Sequence, residues 1–142
     1  MPGQFAGRRV LLVEDDETNA EIASILLGQL ELEVTRVANG ALAVAALRSD
    51  RYDLVFMDCQ MPVMDGLDAT RLVRRAEKAA NEPHTPVVAL TAHSFEGYRE
   101  QCLAAGMDDF MSKPVSTQAF VRILSRWLPP ADSVKSLHAD AA

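Results

Sequence analysis

The chain has few of the residues that small proteins use for disulfide bonds and for zinc sites. It contains two cysteines, three histidines and one tryptophan among its 142 residues. Cys59 and Cys102 lie in apolar stretches and lack the close spacing of zinc ligands. We therefore expect two reduced thiols, with Cys59 in a core role, rather than a disulfide framework or a structural zinc site.

Long apolar runs are also missing. No segment approaches the roughly 18 to 20 apolar residues that a membrane-spanning helix needs. The first apolar run, Val10–Val13, is followed at once by Glu14, so it does not form the apolar core of a secretory signal peptide. We expect a cytoplasmic protein that makes no direct contact with a membrane.

Positive charge is scarce, which bears on possible partners. The chain has 14 Lys and Arg against 20 Asp and Glu, giving a net charge of −6. Binding to nucleic acid needs clustered Lys and Arg, and the basic pairs Arg8-Arg9 and Arg74-Arg75 do not extend into a patch. We therefore predict no nucleic-acid partner.

The length of the chain favours a single domain that buries a core of its own. We expect residues 1–7 to be a flanking N-terminal segment and residues 8–128 to form the domain. Residues 129–142 follow a Pro-Pro pair and are small, polar and alanine-rich, which is typical of a tail or linker. We expect a monomer or a weak dimer.

Five short apolar segments alternate with segments of helical pattern. In the helical segments, Ile22, Leu26 and Leu30 recur at every fourth position, and a second stripe is formed by Phe120, Ile123, Leu124 and Trp127. Five such repeats predict a doubly wound α/β fold, with a five-stranded parallel sheet and helices on both faces. The predicted strands are Val10–Val13, Val34–Val37, Leu54–Met57, Val87–Leu90 and Asp109–Met111.

Polar residues stand at the carboxyl ends of four predicted strands, where the functional residues of such sheets gather. These residues are Glu14 and Asp15 after the first strand, Asp58 after the third, Thr91 after the fourth and Lys113 after the fifth. Neighbouring strands lie about 4.8 Å apart, and two like charges at about 4 Å repel by about 4 kcal/mol at an effective dielectric constant of 20. Clustered acids of this kind suit a hard cation, and Mg²⁺ fits best because it combines few carboxylates with water and phosphate oxygens.

This set of groups predicts the acceptance of a phosphoryl group. Asp58 would be the carboxylate nucleophile, and the metal and Lys113 would neutralise charge on the transferring oxygens. Each residue taken alone has an ordinary structural explanation, since acids near residue 14 can cap a helix and Thr91 can simply end a strand. Their joint occurrence at four strand ends favours the functional interpretation.

Four segments resemble the signatures of receiver (response regulator) domains of two-component phosphorelay systems. They are LLVEDDETN (11–19), DLVFMDCQMPVMDG (53–66), VALTAH (88–93) and AGMDDFMSKPV (105–115). They occur in the family's order and spacing, and the resemblance extends from Arg8 to Leu128. It implies the flavodoxin-like (βα)5 fold with strand order 2-1-3-4-5. Residues 90–109 look most like the receivers of hybrid sensor histidine kinases.

The resemblance also implies a role for each site residue. In two positions the chain departs from the common pattern, because Glu14 replaces the commoner Asp and Phe110 replaces the frequent Tyr. The implied roles are Asp58 as phosphoacceptor, Asp15 as direct Mg²⁺ ligand, Glu14 as an acid acting through water, Gln60 as a backbone-carbonyl ligand, Thr91 and Lys113 as contacts of the phosphoryl oxygens, Phe110 as the aromatic that moves inward with Thr91, and Lys113-Pro114 as a cis peptide.

By this resemblance the chain is a phosphoacceptor signalling switch, not an enzyme acting on a separate substrate. Its partners would be a sensor histidine kinase, a histidine-phosphotransfer domain, or both. A stand-alone response regulator is an open alternative to a receiver of a hybrid kinase. A phosphatase of the haloacid dehalogenase type is disfavoured because Asp58 is followed by Cys59-Gln60 rather than by a second acid two residues on. A degenerate receiver that serves only for docking is disfavoured by the intact acids, threonine and lysine.

Overall fold

The computed structural model describes residues 5–59, 64–91 and 96–128, and within them strands and helices alternate along the chain. The five strands are all parallel and lie in the order β2-β1-β3-β4-β5. The predicted fold class and strand order are therefore confirmed. The elements are β1 (Arg9–Val13), α1 (Glu17–Gln29), β2 (Glu33–Val37), α2 (Gly40–Ser49), β3 (Leu54–Asp58), α3 (Gly66–Ala80), β4 (Val87–Thr91), α4 (Glu96–Ala104), β5 (Asp109–Ser112) and α5 (Thr117–Trp127).

The central strands send alternate side chains into two separate apolar cores, as the two-residue period of a strand requires. On one side, which we call the α1/α5 face, Phe56 packs edge-on against Phe120, with the ring centroids 5.0 Å apart. On the other side, the α2/α3/α4 face, Met57 of β3 belongs to one core with Val73 of α3 and Cys102 of α4. Because all five strands are parallel, their carboxyl ends lie at one edge of the sheet.

Four helices begin with a side-chain cap shortly after a strand ends. Each capping side chain accepts a hydrogen bond from the backbone N–H three residues further on, which satisfies one of the free donors of the first turn. Asp16 has this role, so it belongs to the start of α1 and not to the acid cluster beside it. The other capping residues are Asn39 of α2, Asp65 of α3 and Ser116 of α5.

The stripe predicted for the first helix is wrong in part. Ile22 is 47% exposed, whereas Ala20, Ala23 and Leu27 are buried. A four-residue repeat drifts by about 40° at each step on a helix of 3.6 residues per turn, and apolar residues lie on several sides of α1. The period alone therefore does not identify the face that packs on the sheet. The stripe of α5 is confirmed, because Phe120, Ile123 and Leu124 are buried.

The segment before β1 contributes one residue to the core. Phe5, which falls within residues 1–7, is 2% exposed and belongs to the α1/α5 core. The backbone N–H of Gly7 donates to the carbonyl of Glu31, which holds this segment against the end of α1. A lone aromatic before a basic pair carries no periodic signal, and it packs here because the core extends past the start of β1.

A polar cluster at the opposite edge, which we call the Arg74 cluster, holds the starts of β4 and β5. The Arg74 side chain donates to the carbonyl oxygens of Gly106 and Thr85 and to Asp108 Oδ2 at 2.8 Å. Asp108 Oδ2 also accepts from the backbone N–H of Val87, and Asp108 Oδ1 lies 2.7 Å from His84 Nε2. The cluster therefore connects α3, the start of β4 and the approach to β5.

Within the described ranges, no helix is both long and apolar enough to cross a membrane.

Candidate metal and phosphoryl site

Three acids and one lysine meet at the carboxyl edge of the sheet. Because β1 pairs with β3, Glu14 and Asp15 after β1 lie next to Asp58 at the end of β3. Glu14, Asp15 and Asp58 each place a carboxylate oxygen within 4.8 Å of those of the other two. Lys113, after β5, places Nζ 3.0 Å from Glu14 Oε1 and 3.1 Å from Asp58 Oδ2. The structure thus brings together the acids and the lysine that the sequence singled out.

Burial makes the charges of this site strongly dependent on one another. Glu14 is 2% and Asp58 4% exposed. Burial raises the pKa of Glu14 to about 7; its hydrogen bond with the Asp58 carboxyl also raises it, and Lys113 lowers it. Burial disfavours the charged form of Lys113, but the two carboxylates outweigh this effect and raise the pKa of the lysine. Two buried acids against one ammonium leave a site in which a further cation is favourable.

The donor set fits Mg²⁺. Its oxygens come from three carboxylates, which are the ligands this ion prefers, while Asp15 is exposed and leaves room for the water that the ion retains. Zinc prefers a tetrahedral set of nitrogen and sulfur ligands, whereas these three residues offer carboxylate oxygens. Gln60, expected to lend its backbone carbonyl, lies outside the described residues.

Thr91 and Phe110 lie on the same face of the sheet. In the parallel pairing of β4 and β5, Ala89 is opposite Phe110 and Thr91 is opposite Ser112. Because every second residue of a strand shares a face, Thr91 at the edge and Phe110 further back face the same side. Thr91 is buried and its carbonyl accepts from the Lys113 backbone N–H at 2.8 Å.

The Phe110 ring connects this face to α4. It is partly buried against the α2/α3/α4 core. The guanidinium carbon of Arg99, on α4, lies 5.0 Å from the ring centroid, which is the distance of a cation–π contact. A movement of Phe110 would therefore alter its contact with Arg99 on α4. The peptide bond between Lys113 and Pro114, beyond β5, is cis, as the resemblance implied.

Arg36 supports the acidic turn of the site, although the sequence did not indicate this role. From β2 its Nε and Nη2 atoms donate to the carbonyl oxygen of Glu14 at 3.0 and 2.8 Å, and Nη2 also reaches the carbonyl of Asp15 at 3.4 Å. This guanidinium fixes the backbone of the acidic turn. In the sequence Arg36 is one charged residue of an edge strand, with nothing to indicate that it reaches the neighbouring strand end.

Gly66 is a second such residue. Its backbone N–H donates to the Cys59 carbonyl at 3.1 Å, and a Cβ atom at this position would collide with the carbonyl oxygen of Asp58. The first residue of α3 must therefore be a glycine for the chain to fold back onto the end of β3. The Asp65-Gly66 pair in the segment 53–66 was the available signal.

Comparison with known proteins gives consistent results. Residues 10–125 match the family model described as the response regulator receiver domain. Among curated proteins, the chain is 40% identical over 119 residues to the sensor protein GacS of Pseudomonas syringae pv. syringae. That alignment includes 84% of this chain but 13% of GacS, so the chain spans a small fraction of the length of this relative.

Solved structures agree with the sequence comparison. The receiver domain of the sensor histidine kinase PA1611 from Pseudomonas aeruginosa PAO1, with a magnesium ion coordinated in its active site cleft, is 43% identical. It superposes with a TM-score of 0.77 over 86% of this chain and 98% of its own. The receiver domain of Ssk1, solved with the histidine phosphotransfer protein Ypd1 of Saccharomyces cerevisiae, is 29% identical with a TM-score of 0.78 over 86% of this chain and 89% of its own.

Proposed function

The chain belongs to the response regulator receiver domain family, and we propose that Asp58 is the residue on which it accepts a phosphoryl group. The observation that carries this assignment is the position of Asp58, a buried carboxylate at the end of β3. It is held by Lys113 at 3.1 Å and lies within 4.8 Å of Glu14 and Asp15. A receiver domain of a phosphorelay needs a carboxylate nucleophile beside a cation site, and this edge of the sheet supplies both.

The proposed chemistry is transfer from a phosphohistidine. A carboxylate oxygen of Asp58 attacks phosphorus, a P–O bond forms, the P–N bond breaks and the electron pair leaves with the imidazole of the donor. Lys113 is placed to neutralise negative charge on the transferring oxygens. Glu14, Asp15, Asp58 and the backbone carbonyl of Gln60 are the groups that would hold Mg²⁺, which would supply electrostatic stabilisation of those same oxygens.

The proposed switch starts at Thr91. A phosphoryl group on Asp58 presents oxygens to which the Thr91 hydroxyl donates a hydrogen bond, and the movement of Thr91 toward Asp58 leaves space behind it. Phe110 shares that face of the sheet and turns into the space. Its contact with Arg99 then passes the change to α4.

We propose that the donor is a sensor histidine kinase or a histidine-phosphotransfer domain. A donor must cover the carboxyl edge, and α1, which begins after β1 ends there, presents two exposed apolar side chains, Ile22 at 47% and Ile25 at 53% exposure. Ile22 lines a cleft together with Glu14, Lys113 and Val115. An apolar helix next to a buried acidic site suits a helical partner that presents one phosphohistidine. The Ssk1 receiver, solved with the phosphotransfer protein Ypd1, is a relative of similar fold.

The relatives also support a proposal about the domain context. We propose that residues 8–128, with Phe5 packed against them, form a receiver unit of a hybrid sensor histidine kinase, joined through 129–142 as a tail or linker. GacS supports this proposal, and a stand-alone response regulator of monomeric or weakly dimeric form is the alternative. The phosphatase alternative is set aside because residues 10–125 match the receiver family model.

Phosphorylation of the purified chain tests the site. With acetyl phosphate and Mg²⁺, intact-mass spectrometry should show one phosphoryl group on the wild type and none on Asp58→Asn. Removal of Mg²⁺ with a chelator should abolish labelling of the wild type. Asp68→Asn is the matched control, because Asp68 is a largely exposed acid on α3 whose ion pair is with Arg71, and it should label like the wild type. Labelling of Asp58→Asn at the wild-type rate would disprove the assignment.

A further inference from the structure

The two cysteines of the chain are in direct contact. Cys59 Sγ and Cys102 Sγ lie 3.7 Å apart, although the residues are 43 positions apart in the sequence. Each residue is 2% exposed, and both belong to the α2/α3/α4 core. The sequence predicted two reduced thiols and a core role for Cys59, so the contact between the two sulfurs is a feature that only the fold reveals.

The two thiols belong to two functionally distinct parts of the proposed switch. Cys59 directly follows Asp58, and its backbone is fixed by hydrogen bonds to the Leu90 carbonyl and from the Gly66 N–H. Cys102 lies on α4, the helix that also carries Arg99. The contact therefore joins the phosphoacceptor segment to the helix that the proposed switch moves.

A bond between the two sulfurs requires a small displacement. A disulfide is about 2.05 Å long, so the sulfurs must approach by about 1.7 Å from their present 3.7 Å. The backbone of Cys59 is hydrogen-bonded on both sides, so most of the adjustment falls on side-chain rotation and on α4.

We propose that Cys59 and Cys102 form a peroxide-sensitive dithiol pair whose disulfide ties α4 to the phosphoacceptor segment. One thiol sulfur attacks an oxygen of hydrogen peroxide, giving a sulfenic acid and releasing one water molecule. The second thiol attacks the sulfenic sulfur, the S–S bond forms and a second water molecule leaves. The two sulfurs lose two electrons in total, and the peroxide is reduced to two molecules of water.

Burial sets the condition under which this reaction occurs. Both sulfurs are shielded, and burial raises the pKa of the Cys102 thiol, an effect that its hydrogen bond with Cys59 opposes. Peroxide therefore reaches the pair when α4 separates from the sheet. Oxidation then holds the helix in place, so that it no longer follows phosphorylation of Asp58. This functional consequence rests on the proposed function, whereas the formation of the disulfide does not.

The disulfide itself is tested first, in the purified full chain. After treatment with hydrogen peroxide, non-reducing intact-mass analysis should show the loss of two hydrogen atoms, and peptide mapping should link Cys59 to Cys102. Dithiothreitol should restore the original mass. Cys102→Ser, with Cys102→Ala as a second variant, should show no such loss. A wild-type chain that gains oxygen atoms or dimerises, without the internal link, would overturn the proposal.

The effect on phosphorylation is tested separately. The oxidised wild type should accept phosphate from acetyl phosphate about 10- to 100-fold more slowly than the reduced form, since the disulfide depopulates the α4 position to which phosphorylation is coupled, and couplings of this kind are typically about 5- to 150-fold. Peroxide should leave the rate of Cys102→Ser unchanged. If the internal disulfide forms and the rate does not change, the regulatory part of the proposal is wrong. If the reduced protein also accepts nothing, the proposed function itself fails, and the disulfide result stands.

Discussion

At the scale of single residues, the main property of the site is its unequal charge. Glu14 and Asp58 are two buried acids that share one ammonium, Lys113. Without a bound cation, burial and the neighbouring Asp58 carboxyl favour the protonated form of Glu14 and raise its pKa to about 7. Proton uptake and cation binding at this site are therefore competing ways of balancing the same charge.

This competition predicts how stability depends on pH in the absence of metal. Between pH 4.5 and 7 the folded chain holds a proton on Glu14 that the unfolded chain releases, so the free energy of unfolding falls as the pH rises through this window. The decrease attributable to Glu14 is at most about 3 kcal/mol. Urea unfolding of the metal-free protein at several pH values measures it.

The matched variant is Glu14→Gln, which cannot ionise and should unfold with a nearly flat pH profile over the same window. Mg²⁺ should restore stability of the wild type above pH 7 and do so less in the variant. Identical pH profiles for wild type and variant would show that Glu14 does not carry the buried proton.

Arg36 gives a second prediction at this scale. It holds the Glu14 carbonyl through two nitrogens, and an ammonium has no such fork. Arg36→Lys should therefore keep the charge but loosen the acidic turn and weaken Mg²⁺ binding by about 10-fold, the lower end of the effects of groups that orient metal ligands. Calorimetric titration measures it, and Arg48→Lys on α2 is the control. Unchanged affinity in Arg36→Lys would remove Arg36 from the site.

The sequence predicted the site residues that stand at strand ends, and not those that reach it from elsewhere. Asp58 and Lys113 follow apolar strands, so their meeting at one edge follows from the parallel sheet alone. The role of Arg36 depends on the pairing of β2 with β1 and on the direction of a long side chain. The contact of Cys59 with Cys102 depends on where α4 packs. Neither the Arg36 contact nor the cysteine contact follows from a periodic pattern in the sequence.

At the scale of elements, β4, β5 and α4 form the moving part of the proposed switch. One charge-assisted hydrogen bond from Thr91, of roughly 1.5–3 kcal/mol, is enough to shift a two-state population ten-fold or more. Thr91→Ala should therefore still accept phosphate, but beryllofluoride with Mg²⁺ should produce few changes in amide shifts across residues 96–128. Thr91→Ser retains the hydroxyl and should respond like the wild type. Equal responses in Thr91→Ala and wild type would place the coupling elsewhere.

The helices were predicted less well than the strands. For α5 the stripe Phe120, Ile123 and Leu124 specified the buried face, because most residues on the other sides of that helix are polar. For α1, apolar residues occur on several sides, and the structure buries the alanines while leaving Ile22 exposed. Small side chains allow the helix to approach the sheet closely. The exposed isoleucines are the ones that a partner can use.

At the scale of the whole molecule, this exposed side of α1 predicts how the chain recognises its donor. Ile22→Glu should slow transfer from a phosphorylated histidine-phosphotransfer protein by about ten-fold or more, since loss of about 1.4 kcal/mol of binding energy is a ten-fold effect. Labelling by acetyl phosphate, which needs no docking surface, should not change. The transfer rate is measured by stopping the reaction at successive times and separating the two proteins on gels.

Leu103→Glu is the control, because Leu103 on α4 is 46% exposed, close to the 47% of Ile22, and lies away from the cleft. It should transfer at the wild-type rate. If Leu103→Glu slowed transfer and Ile22→Glu did not, the donor would dock against α4 instead.

The Arg74 cluster has a consequence for the mechanics of the domain. It fixes the starts of β4 and β5 through Val87 and Asp108, at the end of the sheet opposite Thr91. Two strands held at one end and displaced at the other have an amplitude of motion that grows with distance from the fixed end. In the proposed switch, stiffness at Arg74 would therefore direct a displacement that begins at Asp58 sideways into α4 rather than along the strands. The direction of the proposed signal would then depend on where the sheet is rigid as well as on where the charge changes.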